Sequence, residues 1–288
     1  MALVTANRFN TLRQQIDNVL GNGSGDSGYG QTLVTQSVQV GDIINAANIN
    51  NAYEDLRKAY KHQTGGNPAN TVIQAVQQGD LIKENDGVSY TGWDQYEALA
   101  TLISTNRLTV DSTQQDVVVG LPNNRSTWNG TITLIIEVNF ASADARRHYF
   151  NQGGFIRIAS STTDSSSKGS DWNSIMGGNL DFSAHTTTSS GGGTVYAIGN
   201  YELDGNVQRI YERIDAGGND AYSANDYYVD VQSTSATQIT FTITWQDEAG
   251  GNPDEDVSDL NCDIYTATAI TDVIGTAPGI VKGSGSTF

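Results

Sequence analysis

Apolar positions recur with a helical period near the start of the chain. Phe9, Leu12, Ile16 and Val19 fall on one stripe, and Gly21 stands where that helix would end. A second stripe, Ile49, Ala52, Leu56 and Ala59, predicts a helix that starts near Asn45 and stops before Gly65-Gly66. Between the two lie a glycine-rich loop, Gly21 to Gly30, and a Thr/Val segment, Thr32 to Val40, that predicts a short strand. Tyr96, Leu99, Ala100 and Ile103 predict a third helix between Trp93 and Asn106. From about Gln115 the period changes to two. Ile132, Leu134, Ile136, Val138 and Phe140 alternate with mostly polar neighbours, and so do Ile239, Phe241, Ile243 and Trp245. Further strands are predicted at 155–159, 193–200, 227–232 and 263–269, separated by turns rich in Ser, Gly and Asn.

Short alternating strands without intervening helices predict a mainly β protein whose C-terminal part is an antiparallel β-sandwich. The expected organisation is a helix-loop-strand-helix region at 1–66, a connecting region with a helix at 67–114, the sandwich at 115–270, and a Gly/Ser-rich exposed tail at 271–288. Residues 1–66 offer little core of their own, so they read as a small helical docking region.

Charge narrows the partners. The 288 residues carry 15 Lys and Arg against 32 Asp and Glu, a net −17. Nucleic acid is not an expected partner, because phosphate recognition needs clustered cations, and an anionic membrane surface is unsuited for the same reason. The longest apolar runs, such as Leu134 to Ile136, are far too short for membrane insertion, and no secretory signal pattern is visible. Cys262 is the single cysteine and has no neighbouring base, which predicts a structural thiol.

Candidate chemistry is sparse. Gly25-Asp26-Ser27-Gly28 copies the surroundings of a protease serine, yet the first histidine, His62, follows it. Gly23 to Gly28 fits a dinucleotide fingerprint, but a predicted helix precedes it where a strand is required. Asp247, Glu248, Asp254, Glu255, Asp256, Asp259 and Asp263 could gather oxygen ligands for calcium, without the spacing of a known loop, and Gly217-Gly218-Asn219-Asp220 is one degenerate copy of a calcium repeat. His62, His148 and His185 stand apart in the sequence, as hydrogen-bonding or interface residues rather than ligands. Trp128 and Trp172 sit in predicted loops, where they could stack on a glycan, whereas Trp245 alternates as core. The expectation is no enzyme activity, no cofactor and no metal.

Several blocks resemble virion structural proteins of tailed bacteriophages, notably myoviruses of marine cyanobacteria. They are Leu20-Gly21-Asn22-Gly23, Gly28-Tyr29-Gly30-Gln31, Asn45 to Gly65 with its closing His62-Gln63-Thr64-Gly65, Arg146 to Ile158 (RRHYFNQGGFIRI), Trp172 to Ile175, and the acidic stretch from Asp247 to Val257. The resemblance implies a late, structural component of the tail, baseplate, neck or fibre apparatus. Its partners would be copies of itself and other virion proteins, and its location the virion, assembled in the host cytoplasm. The other function class is a glycan-binding adhesin directed at the host surface. In an acidic chain the adjacent Arg146 and Arg147, followed by His148, Tyr149 and Phe150, have the residue types of a subunit interface, and this pentad is the expected homo-oligomer contact.

Overall fold

The computed structural model describes residues 4–77, 79–80, 82–85, 87–214, 222–248 and 256–288. Its contacts divide into two units. One takes the chain up to Asp116 with Arg147–Gly153 and Thr268–Thr276; the other takes Val117–Arg146, Gly154–Ala267 and Ala277–Phe288.

The first unit is built on the three predicted helices: α1 (Ala6–Val19), α2 (Ala46–Thr64) and α3 (Trp93–Thr105). Every residue of the three predicted stripes is buried. Asn45 opens α2 with a capping box: its Oδ1 accepts from the Ala47 and Asn48 amides, and Asn48 Oδ1 accepts from the Asn45 amide. Gly65 closes α2 in the left-handed region, at φ 79°. Gly21 is glycine for another reason than the predicted cap. A Cβ there would lie 2.1 Å from Asp17 Oδ1 and 2.6 Å from Leu33 Cδ1. The division at residue 66 does not follow the packing, because α3 packs on both α1 and α2. Ala269 and Val273 also join this core, a long-range return that local periodicity cannot announce.

The strand predicted at 32–40 is absent. The segment has no assigned strand and bends at Val34, and helix side chains take the place of a neighbouring strand. Asn10 of α1 donates from Nδ2 to Val38 O at 2.8 Å and accepts the Val38 amide at 3.0 Å. Arg13 donates to Thr35 O, and the fully buried Asp55 of α2 accepts from the Val34 amide, the Thr35 amide and the Thr35 hydroxyl. The same two-point amide clamp recurs in this unit, with Asn50 on Val76 and Gln31 on Ile274. Each clamp satisfies a main-chain N–H and C=O that would otherwise need a ladder or water. Asp55→Asn should therefore cost about 1–3 kcal/mol, since one amide N–H₂ must then face donors in a buried site. Urea unfolding checks this, and an unchanged midpoint would remove Asp55 from the account.

The second unit holds two antiparallel sheets. One orders β1 (Gln115–Leu121), β11 (Val257–Ala269), β4 (Phe155–Thr162), β5 (Asn179–Phe182) and β6 (Thr187–Ser189), with β2 (Asn124–Trp128) also pairing β11. The other orders β12 (Gly279–Lys282), β3 (Thr131–Asn139), β10 (Gln238–Gln246), β9 (Asp226–Ser235), β8 (Gln208–Arg213) and β7 (Thr194–Val195). The predicted alternation is the register of the central pair: Ile136 lies opposite Phe241, and Leu134 opposite Ile243. Inward side chains of the two sheets meet. Phe182 stacks edge-on against Phe241 at 5.3 Å, and Ser160 Oγ lies 3.1 Å from the Tyr227 hydroxyl. Cys262 is buried in this core, and burial pushes its thiol up to about 12, as befits a structural cysteine.

Two helices were not visible in the alternation, α4 (Ala143–Asn151) and α5 (Ser167–Met176). The predicted strand at 193–200 shrinks to β7, which pairs only Thr194 and Val195 with β8. The predicted exposed tail is also ordered differently. β12 pairs with β3, and Phe288 packs 5.2 Å from the Trp245 ring. A Gly/Ser-rich composition signals turn chemistry, and four residues of Gly-Ile-Val-Lys suffice for an edge strand.

Candidate functional site

Of the resembling blocks, 20–23, 28–31, the closing 62–65 of Asn45 to Gly65, and residues 147–153 of the Arg146 to Ile158 block meet in the first unit, where they form one hydrogen-bonded knot. Its base is a fold-back of the loop on the end of α1. Tyr29 donates its amide to Val19 O, Gly30 to Gly21 O and Gln31 to Leu20 O. Tyr29 is fully buried and central. Its hydroxyl donates to Arg107 O at 2.7 Å and accepts from Gln63 Nε2 at 2.9 Å, and its carbonyl accepts from Gln152 and Gln31. Burial raises the Tyr29 phenol well above its ordinary range, which keeps it a neutral donor.

The last turns of α4 close over the loop by donating to its carbonyls. Arg147 donates to Ser27 O at 2.5 Å and Asn22 O at 2.8 Å, and Asn151 donates to Gly25 O and Gly28 O, each at 3.2 Å. Arg147 Nη2 also lies 2.9 Å from His148 Nε2. The same nitrogen lies 3.2 Å from Asn22 O, so whether it accepts from Arg147 or donates to that carbonyl follows from the tautomer. Gly30 is required here on two counts. Its φ is 71°, and a Cβ would lie 2.4 Å from His148 Nδ1. Across the knot, His62 is 1% exposed and its Nε2 lies 3.0 Å from Gln152 O, while its Nδ1 has no hydrogen-bond partner. A carbonyl only accepts, so the proton sits on Nε2.

This arrangement uses Ser27 through its main chain, and Asp26 as the partner of Arg107 at 2.5 Å. The protease-like Gly-Asp-Ser-Gly is thus part of a locked loop. Ser27→Ala should leave the thermal midpoint and any hydrolysis unchanged, whereas Arg147→Ala should expose the loop to limited proteolysis. A loop equally resistant in both variants would contradict this division of roles.

The expected interface pentad is consumed inside the chain. Tyr149 and Phe150 are 1% and 0% exposed and stack edge-on at 5.1 Å, so neither has surface to offer a second copy. Arg146 is buried too. It donates to Asn200 Oδ1 at 2.7 Å, Ser233 Oγ at 2.8 Å and Ser235 O at 3.0 Å, and burial lowers its pKa from the ordinary value. Arg147 and His148 are half-buried in the knot. Helix geometry is the reason: adjacent residues point in different directions, which suits internal locking on several sides better than one flat contact. A signal was present in Ser142, which accepts from the Ala145 amide as a cap, and in Asp144 of the first turn.

The expected glycan tryptophans are buried as well. Trp128 ends β2 and Trp172 lies on α5; they are 2% and 0% exposed and pack edge to face at 5.4 Å. They are core, because Trp172 falls on the inward stripe of a helix that the serine-rich sequence concealed. His185 pairs with Glu202 at 2.8 Å and stacks on Tyr201.

Of the acidic stretch, Asp247 is held 2.8 Å from Lys168 Nζ, with both side chains 1% exposed. Asp254, Glu255 and the stretch from Gly217 to Asp220 lie outside the described residues. Among the described residues, no group of three or more His, Cys, Asp or Glu side chains is arranged to hold a metal ion, and no helix is long and apolar enough to cross a membrane. A pocket of about 550 Å³ opens at the start of α2 between Ile44, Ala46, Ile49, Val76 and Ile82. Comparison of the chain with protein-family models, curated proteins and solved structures returns no match.

Proposed function

We propose that this chain is a structural component of a tailed-bacteriophage virion, in the tail, baseplate, neck or fibre apparatus, working through subunit contacts and without catalysis of its own. The observation that carries the reading is the convergence of four of the resembling stretches. Separated by as many as 125 residues in sequence, 20–23, 28–31, 62–65 and 147–153 are joined by hydrogen bonds from side chains to main-chain carbonyls. Groups used in this way hold a shape rather than turn over a substrate. Its partners are copies of itself and other virion proteins, and its location is the particle assembled in the host cytoplasm. The adhesin alternative loses its motivation, since Trp128 and Trp172 have no ring face open to a sugar.

The test is mass spectrometry of washed particles made by the genome that encodes the chain, with labelled antibody to locate it by electron microscopy. Peptides of the chain at a level comparable with other tail proteins are expected. Absence from intact particles would overturn the reading.

A further inference from the structure

The sheets end in edge strands of unequal design. β6, β7 and β12 are three, two and four residues long, which limits their capacity to recruit another strand. β2 carries Arg125, and Pro122 interrupts the edge between β1 and β2. β1 is longer than these, holds no proline or cation, and carries its single charge at its second residue, Asp116. It runs seven residues, Gln-Asp-Val-Val-Val-Gly-Leu, and pairs on one side with β11. Val117, Val118 and Val119 are 40%, 43% and 48% exposed, so apolar β-branched side chains project from both faces of the strand.

We infer that β1 is a docking edge, and that its occupant is the β1 of a second copy of this chain, paired antiparallel about Val118. The choice of occupant follows from charge and register. Val117 to Asn124 carries no charge in a chain of net −17, so two copies can meet here with no local like-charge contact. Pairing about Val118 sets Val117 opposite the second copy's Val119, and Val119 opposite its Val117. Directly opposed residues share a face, so four valines cluster on one side of the joined sheet and the two Val118 side chains meet on the other. Asp116, the one charged residue of the strand, falls opposite Gly120, so the two carboxylates are kept apart. A continuous sheet across a two-fold axis is an isologous contact, which closes on itself as a dimer rather than growing as a filament.

The inference deepens the virion reading by naming a contact between copies, and its test does not depend on particles. Sedimentation velocity on the whole chain should give a dimer. Val118→Lys puts two ammonium groups together at the axis and should weaken association at least about tenfold with an unchanged circular dichroism spectrum. Val118→Cys should form a covalent dimer under mild oxidation, because the residue meets its own copy, while Thr194→Cys on the short β7 edge should not. A monomeric wild type, an unaltered mass for a folded Val118→Lys, or no more cross-linking at 118 than at 194 would each overturn the proposal. If Val118→Lys fails to fold, the cysteine pair decides. A monomer found by mass spectrometry in particles would sink this contact and leave the virion assignment standing.

Discussion

Lys168→Met is expected to destabilise the sheet-bearing unit by about 3–5 kcal/mol, the usual cost of removing one partner from a buried ion pair. Lys168 Nζ and Asp247 Oδ2 are 2.8 Å apart with 1% of either side chain exposed. The methionine fills most of the lysine's volume, so a cavity contributes little and the loss reports the carboxylate left in low dielectric. The pair sits beside strongly apolar neighbours. Trp172, Ile175 and Met176 share the buried face of α5 with Lys168, and Trp245 Nε1 donates to Met176 Sδ at 3.0 Å. For that reason a double variant, Lys168→Met with Asp247→Leu, should recover most of the loss. Replacing a whole buried pair with apolar residues is often neutral or better. Urea unfolding followed by tryptophan fluorescence suits the measurement, because Trp128, Trp172 and Trp245 all belong to this unit. A single variant as stable as the wild type would mean that Asp247 is solvated or otherwise neutralised.

What the sequence announces and what it hides have a common cause. Period-based reading finds elements whose own side chains alternate between core and solvent. The stripes of α1, α2 and α3 and the alternation of β3 and β10 are such cases; α2, α3, β3 and β10 appear within a residue or two of their expected limits, and α1 begins three residues before its first stripe residue, Phe9. α5 is hidden because Ser167, Gly169, Ser170 and Ser174 are weak helix formers, and its helical state rests on a cap at Ser166 and on burial of Trp172. The segment at 32–40 is misread because Thr and Val favour extended backbone without saying what the backbone pairs with. Here the partners are side chains of Asn10, Arg13 and Asp55. In the second unit Asn173 does the same, accepting the Thr162 amide at 2.8 Å and donating to Thr162 O at 2.7 Å. An Asn- and Gln-rich composition looks like loop in a one-dimensional reading, yet several of these amides act as single-residue strand partners. The knot is opaque for the same reason. Arg147 and Asn151 seek carbonyls more than a hundred residues away, and no local pattern encodes that distance.

Acid should loosen the first unit, and His62 should be a principal reason. The ring is buried at 1% exposure, edge-on to Tyr29 at 5.0 Å, with Nε2 against Gln152 O. A second proton would have to go on Nδ1, which has no acceptor to receive it, and burial accordingly lowers the pKa to about 4. The unfolded chain takes up that proton near pH 6.5. Between these values the unfolded state binds more protons, so stability rises with pH. The His62 contribution is complete above about pH 6.5, falls as the pH drops, and levels off below about pH 4. The gap corresponds to about 3 kcal/mol at about 1.4 kcal/mol per pH unit. Carboxylates act lower on the scale. Glu97, held down chiefly by its bond from Arg8, and Asp272, held down by Lys61 and Arg57 against the opposing effect of burial, lose their contributions as they protonate at still lower pH. His62→Gln separates the two effects, since it keeps an N–H donor for Gln152 O and does not titrate. Denaturant midpoints measured from pH 7 down to about 4.5 should slope for the wild type and stay nearly flat for the variant. Both should still fall below that range, where the carboxylates protonate. Parallel slopes for the two proteins above pH 4.5 would show that His62 is not the group that senses the acid.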